Sequence, residues 1–292
     1  MKFLIIIPAH NEEKNIFFTL ESLKNQIFKD FEIVVVNDGS TDKTGEIVEN
    51  FKSQIPNLKL LNLEKSVHEP GAKVVNTFNK GLKSVDVQSF DIICKFDADI
   101  IFPDNYLKKV NEVYETNPKA GMVSGLVKIK KSVFEKNLAF DFKDEKHQWI
   151  FENISSKNHI RGPIKSYRKE CFLQMNGLRP VLGWDNIDVM LAKKHGWETV
   201  TIKDLWVKHL RPTAYKYKKQ KAEKLGEYFY NIGLSFPLAM ISSAKSSWKN
   251  KSFSEFFATM KTFLKQSSKR KLTKEEIKHI RNLRWKQIIN KK

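Results

Sequence analysis

The sequence predicts an α/β fold, a Rossmann-like and mostly parallel sheet with helices on both faces, followed by a basic helical region. Three observations predict it. Short apolar runs alternate with segments whose apolar residues recur at helical spacing. The residues after successive runs are polar and acidic, and open α/β sheets bind ligands beyond the carboxyl ends of their strands. Charge then divides the chain: residues 215 to 292 hold 20 Lys and Arg against 5 Asp and Glu, whereas residues 1 to 214 hold 32 against 28. The asymmetry separates a body over residues 1–213 from a basic C-terminal region over residues 214–292.

The opening run Phe3 to Ile7 reads as a buried strand, because it stops at Pro8 and gives way to His10-Asn11-Glu12, where a signal peptide would stay apolar. Ile16, Leu20 and Leu23 lie at helical spacing between Glu13 and Leu23, and Glu32 to Val36 is a second strand. A helix over Asp42 to Phe51, a strand over Leu58 to Leu61, a helix over Ala72 to Leu82 and a strand over Asp91 to Phe96 continue the alternation. A helix from Asp104 to Thr116, a strand from Met122 to Ile129 and a polar helical stretch from Phe140 to Asn153 follow. The body closes with a short strand over Pro163 to Tyr167 and a corner at Asn176-Gly177-Leu178. A helix from Gly183 to His195 comes next, then strands at Glu198 to Ile202 and Trp206 to Leu210.

At 292 residues, 41% hydrophobic and 29% charged, the composition is that of a globular protein and excludes collagen-like, fully disordered and disulfide-stapled classes. No apolar stretch reaches the roughly 18 residues that cross a bilayer. Cys94 and Cys171 belong to no CxxC pair or metal spacing, which fits a reducing cytosol.

Three strand ends carry the chemistry: Pro8-Ala9-His10-Asn11-Glu12, then Asn37-Asp38-Gly39-Ser40-Thr41-Asp42, then Asp97-Ala98-Asp99. Each alone reads equally as a solvated turn capping the next helix. Asp97 and Asp99, two apart, point to the same side if the extended backbone continues. Two such carboxylates repel unless a cation lies between them, and hard oxygen donors favour Mg²⁺ or Mn²⁺, which in turn bind phosphate oxygens.

With Ile5 to Glu12, Val34 to Asp42, Gly71 to Gly81, Phe96 to Asp99 and Gly183 to Asp188 in this order, the chain resembles the family 2 inverting glycosyltransferases of type-A nucleotide-sugar fold over residues 3 to 212. The resemblance implies that Pro8, Ala9, Asn11 and Glu12 border the nucleotide and that Asp38 contacts the base. It further implies that Lys73, ahead of Asn79-Lys80-Gly81, is the family's basic residue, and that Asp97 and Asp99 bind the sugar nucleotide and its metal. His209 matches the late histidine that completes such a metal site. Arg211, on the same side of a strand, would meet the diphosphate. Surface or solvated positions are the plainer readings of His209 and Lys73. Asp188 resembles the family's catalytic base, with Asp185 the rival, because Ile187 stands where a glutamate is usual; a capping box would also use both carboxylates. Of Trp149, Trp184 and Trp197, Trp184 lies within the last motif and is the expected platform for the acceptor sugar.

The implied activity is inverting sugar transfer from a nucleoside-diphosphate sugar, expected to be a UDP-sugar, to a glycan or lipid-linked acceptor. The expected setting is cell-surface polysaccharide or glycolipid synthesis at the inner face of the membrane. In the tail, Phe253, Phe256, Phe257, Met260, Phe263 and Leu264 form a helical stripe beside Lys261 and Lys265. Such a helix suits either an anionic membrane surface or packing on the body or another subunit. Only three of the twenty tail cations are arginine and no nucleic-acid module is present, so nucleic acid is set aside. Two rivals remain. A nicotinamide-dependent oxidoreductase would place G-x-G-x-x-G after the first strand, where this chain has Pro8 to Glu12. A non-catalytic nucleotide-sugar or lipid-surface module would keep the body without turnover.

Overall fold

Because successive strand residues face opposite ways, a strand apolar at every position must be covered on both sides. The computed structural model, which describes residues 1–64, 66, 69–130, 149–211 and 221–290, shows this from the first strand. Strand β1 (Phe3–Ala9) sends Phe3, Ile5 and Ile7 into one core, and Leu4 and Ile6 into another. The alternation continues through α1 (Ile16–Lys24), β2 (Phe31–Asp38), α2 (Thr44–Phe51), β3 (Leu58–Leu63), α3 (Ala72–Lys83) and β4 (Ile92–Phe96). After these come β5 (Ile100–Ile101), α4 (Tyr106–Thr116), β6 (Ala120–Lys130), β7 (Trp149–Phe151), β8 (Ile164–Arg168), α5 (Lys169–Gln174), α6 (Trp184–Lys194) and β9 (Glu198–His209).

The sheet runs β3-β2-β1-β4-β8-β6-β9-β5, with β7 on the free side of β6. Strands β3, β2, β1 and β4 are parallel, β8 enters antiparallel between β4 and β6, and β6 with β9 is parallel again, so most of the paired length is parallel. Helices α1, α2 and α4 cover one face through Leu20, Val48 and Val110. Helices α3, α5 and α6 cover the other through Phe78, Phe172 and Leu191. Gly81 is what lets α3 lie close to the sheet, since a Cβ there would come within 2.6 Å of Val36 and 2.8 Å of Ile6.

Two expected elements differ. The strands at Glu198 to Ile202 and Trp206 to Leu210 are one strand, β9, with an irregularity where its pairing with β6 passes from Ser124–Thr201 to Leu126–Trp206. The polar Lys203 and Asp204 in that bulge break the apolar pattern without ending the pairing. The expected helical stretch from Phe140 to Asn153 lies partly outside the described residues. Its described part, Trp149 to Phe151, is strand, because these residues take up the open edge of β6 at Lys128 to Lys130.

The tail forms α7 (Lys221–Asn231), α8 (Phe236–Lys249), α9 (Phe253–Lys265) and α10 (Lys274–Ile289). Phe229, Ile232, Leu238, Met260 and Ile280 join the same core as Phe172, Trp184 and Met190. A buried ion pair of 2.7 Å between Arg179 and Glu276 adds a polar tie, and Glu276 also closes the capping box with Thr273 that starts α10. The stripe on α9 divides. Thr259, Met260 and Phe263 are buried, while Phe253, Phe257 and Leu264 are 83%, 67% and 63% exposed.

Candidate functional site

The carboxyl ends of β1, β2 and β4 and the start of α3 surround a cavity of about 380 Å³. Pro8, Ala9, Glu12, Asp38, Lys73, Asp97, Asp99 and Arg211 line it, together with His10, Glu69 and Gly71. Parallel pairing of the strands brings these distant segments to one edge.

On the β2 side, Asp38 is 1% exposed. Its carboxylate accepts a 2.7 Å hydrogen bond from the Ser66 hydroxyl and sits 3.1 Å from the Lys73 ammonium. Burial alone would raise its pKa, but Ser66 and Lys73 together bring it below the ordinary value. Lys73 therefore faces the cavity floor. Asn11 does not line the cavity. With φ at 55°, it accepts a 2.8 Å hydrogen bond from the Thr41 amide and donates its own amide to the Ser40 hydroxyl at 3.0 Å, tying together the loops after β1 and β2.

The backbone turns at Ala98 and Asp99 instead of continuing extended, so Asp97 and Asp99 take different partners while both line the cavity. Asp97, with a side chain 30% exposed, pairs with the buried Lys95. Asp99 points inward, with its Oδ2 2.9 Å from Arg211 Nε and 3.5 Å from His209 Nε2. Burial resists ionisation of Asp99, yet His209 and Arg211 outweigh it and hold the pKa down to about 2. Arg211 also pairs with Glu12. Burial pushes the Glu12 pKa up against the pull of Arg211, with Asp99 adding to the rise. Arg211 thus reaches the cavity as a bridge between two carboxylates.

Carboxylate oxygens suit a divalent cation of the Mg²⁺ or Mn²⁺ type, which binds through one or two carboxylates and substrate phosphate oxygens in place of a closed protein cage. Asp97 and Asp99 are the carboxylates at this edge of the cavity and His209 lies beside Asp99; among the described residues no group of three His, Cys, Asp or Glu side chains is arranged to hold a metal ion by itself. His209 also lies 3.4 Å from Glu152, which pairs with Arg161 at 2.7 Å. Although burial works against its charge, Asp99 and Glu152 raise the His209 pKa to about 9, so coordinating a metal requires the ring to release a proton.

In the last motif the two candidate bases separate. Asp188 is 2% exposed; its oxygens lie 2.8 and 2.7 Å from Lys165 Nζ and accept 2.6 Å and 2.7 Å hydrogen bonds from the Tyr167 hydroxyl and the Val189 amide. Burial raises its pKa against the pull of Lys165 and Tyr167. With its oxygens engaged by Lys165, Tyr167 and the Val189 amide, Asp188 holds these groups in place, and of the two candidate bases it is the more enclosed. Asp185, in the first turn of α6, is half-buried and sits beside Gly162, whose carbonyl accepts a hydrogen bond of 3.3 Å from Lys95. Trp184 is only 7% exposed, and the ammonium groups of Lys95 and Lys165 lie 5.2 and 5.5 Å from its ring centre. Its ring lies beside two buried cations and is itself largely enclosed.

Lys95, Lys165, Tyr167, Glu152, Arg161 and Ser66 were not singled out from the sequence. Lysines inside the apolar runs Ile92 to Phe96 and Ile164 to Tyr167 were the available signal, because a buried cation needs a partner.

The sequence profile of glycosyl transferase family 2 matches residues 4–173, more than half of the chain. The chain belongs to glycosyl transferase family 2. Among curated relatives, it is 30% identical over 125 residues to the poly-β-1,6-N-acetyl-D-glucosamine synthase of Staphylococcus epidermidis, covering 43% of this chain and 28% of that protein. It is 47% identical over 73 residues to the poly(ribitol-phosphate) β-N-acetylglucosaminyltransferase TarS of Staphylococcus aureus, covering 24% of this chain and 13% of that one. These matches therefore span less than a third of the relatives' own lengths. Among solved structures, S. aureus TarS 1-349 in complex with UDP-GlcNAc aligns over 81% of this chain and 68% of its own, with a TM-score of 0.56 and 23% identity. The mannosyltransferase PcManGT of Pyrobaculum calidifontis, with GDP-Man and Mn²⁺, aligns over 100% and 88%, with a TM-score of 0.58 and 15% identity. Both share the family's fold.

Proposed function

We propose that this family member is a metal-dependent inverting glycosyltransferase that uses a nucleoside-diphosphate sugar, with UDP as the nucleotide. Its acceptor would be a glycan or lipid-linked glycan in cell-surface polysaccharide or glycolipid synthesis at the cytoplasmic face of the membrane. The observation that carries this reading is the cavity in which Asp38, Lys73, Asp97, Asp99 and Arg211 converge from separate strand ends. The names of the relatives, which make N-acetylglucosamine polymers or modify poly(ribitol-phosphate), and the UDP-GlcNAc of the TarS structure support the donor and the acceptor class.

In this reading Asp38 holds the base and Lys73 faces the phosphates. Arg211, which pairs with Glu12 and Asp99 at the cavity, would meet the diphosphate. Asp97 and Asp99, with His209, would hold a divalent cation, which would neutralise the charge that develops on the departing nucleoside diphosphate. Asp185 takes the proton of the acceptor hydroxyl, and the N-terminus of α6 stabilises its charged form. Asp188 holds Lys165, and Lys165 donates to the Asp185 carbonyl at 2.6 Å, fixing the turn from which Asp185 works.

The test is release of UDP from UDP-N-acetylglucosamine and related donors by the purified chain, with and without Mn²⁺. Turnover is expected only with the metal, and Asp97→Ala is expected to abolish metal-dependent donor binding measured by calorimetry. Unchanged nucleotide affinity in that variant would overturn the metal assignment.

A further inference from the structure

Helices α8 and α9 form a hairpin whose outward side stays apolar. At about 100° per residue, Ile241, Lys245 and Trp248 share one side of α8, and Phe253, Phe257 and Leu264 fall within roughly 40° on α9. Trp248 is 84% exposed and Ile241 40%. The other side of α9 is already in use: Met260 and Phe263 join the core, and Thr259 donates a 3.1 Å hydrogen bond to the Ala222 carbonyl on α7. The exposed aromatics are therefore a second face, separate from the one that packs.

Charge says what covers this face. Residues 236 to 265 carry five lysines, at 245, 249, 251, 261 and 265, against a single acid, Glu255. All five lysines are exposed, and Glu255 accepts a 2.6 Å hydrogen bond from Asn250 within the hairpin. Aromatic and aliphatic side chains ringed by lysines match an anionic bilayer, where the rings enter the headgroup boundary and the ammoniums meet lipid phosphates. A protein partner of the same chain type would bring the same positive charge and be repelled.

We propose that the α8–α9 hairpin is a docking surface for anionic phospholipid membrane, with Trp248, Phe253 and Phe257 inserting and Lys249, Lys251 and Lys261 binding headgroups. The surface is coupled to the proposed acceptor side through α7. Tyr228 on α7 packs on Gly183, so closely that a Cβ there would fall 2.2 Å from its ring, and Asn231 donates to the Leu182 carbonyl at 3.1 Å. A membrane on the hairpin thus lies on the same helical layer that fixes the start of α6, which suits an acceptor presented from a lipid.

The full chain should co-sediment with phosphatidylcholine vesicles containing about one-third phosphatidylglycerol at low salt. Its Trp fluorescence should shift to the blue, and it should ignore pure phosphatidylcholine. Trp248→Ser with Phe253→Ser and Phe257→Ser, and separately Lys249→Gln with Lys251→Gln and Lys261→Gln, should each weaken binding by roughly tenfold or more. Thermal unfolding should stay unchanged, because these side chains are exposed. No donor or acceptor is needed for this readout, so it stands or falls apart from the proposed sugar transfer. Failure of the full chain to sediment, or sedimentation of both triple variants as strong as that of the parent, overturns the proposal. So does a dimer in light scattering that the aromatic triple variant dissociates, since the face would then belong to a second copy.

Discussion

The Asp97-Ala98-Asp99 turn and the start of α6 each carry two carboxylates, and in each motif one is buried with cations while the other stays half-open. Asp99 and Asp188 are both nearly inaccessible, yet their pKa values move in opposite directions. Asp99 meets an imidazolium and a guanidinium, and together they overcome the cost of burial. Asp188 meets one ammonium, a phenol and an amide, and burial wins. Exposure alone therefore does not tell whether a buried acid is easily ionised; the count and charge of its partners decide. The comparison also separates roles. Asp188 holds Lys165 and Tyr167, Asp99 holds His209 and Arg211 at the cavity, and Asp97 and Asp185 keep more of their surface open.

The sharpest way to break this division is to remove the saturated partner. Asp188→Ala leaves the Lys165 ammonium, itself 0% exposed, without a counter-charge, and should cost about 3–5 kcal/mol in urea unfolding. The double change Lys165→Met with Asp188→Leu should recover most of that loss. If the single variant were as stable as the parent, the anchor assignment would be wrong.

Asp185→Asn should instead leave stability and nucleotide affinity near the parent while transfer to acceptor falls by about 10²-fold or more. Normal transfer by Asp185→Asn would return the base to another residue. A smaller effect is expected from the turn that holds Asp185. Gly183 has φ at 91° and lies against Tyr228, so Gly183→Ala should cost about 1–3 kcal/mol in thermal unfolding from strain and overlap. A neutral result would show that α7 does not fix this turn.

The smallest effect is a pH dependence near the same helix. Burial, with help from Lys165, holds the His159 pKa down to about 4, against an ordinary value of about 6.5. The unfolded chain takes up its proton first as pH falls. The contribution of His159 to stability is therefore present above about pH 6.5 and is lost between there and pH 4. The difference in melting temperature between the parent and His159→Gln should change across that window and stay flat from pH 7 to 8. A flat difference throughout would show that the ring takes up its proton equally in the folded and unfolded chain.

The strand ends were legible because their information is local. A run such as Phe3 to Ile7 can only be a doubly covered strand, and the polar segments after β1, β2 and β4 meet at one edge wherever such strands pair in parallel. Asp38, Lys73, Asp97 and Asp99 lining one cavity follow from that rule. The early apolar alternation, the family motifs and the basic tail were likewise written in order and composition.

What the sequence could not settle was direction. Whether Asp185 or Asp188 is open depends on Lys165 and Tyr167, which reach α6 from an antiparallel strand inserted between β4 and β6. Whether Asp97 and Asp99 share a side depends on a backbone turn that spacing alone does not reveal. Which half of the α9 stripe is covered depends on α7 and the core it joins. In each case the deciding partner is remote in the chain, and the energy of burying a charge or an aromatic ring is set by the neighbours that folding brings to it. Sequence fixes which side chains are available at each point, and only tertiary packing assigns their partners, because desolvation and pairing are properties of the assembled environment.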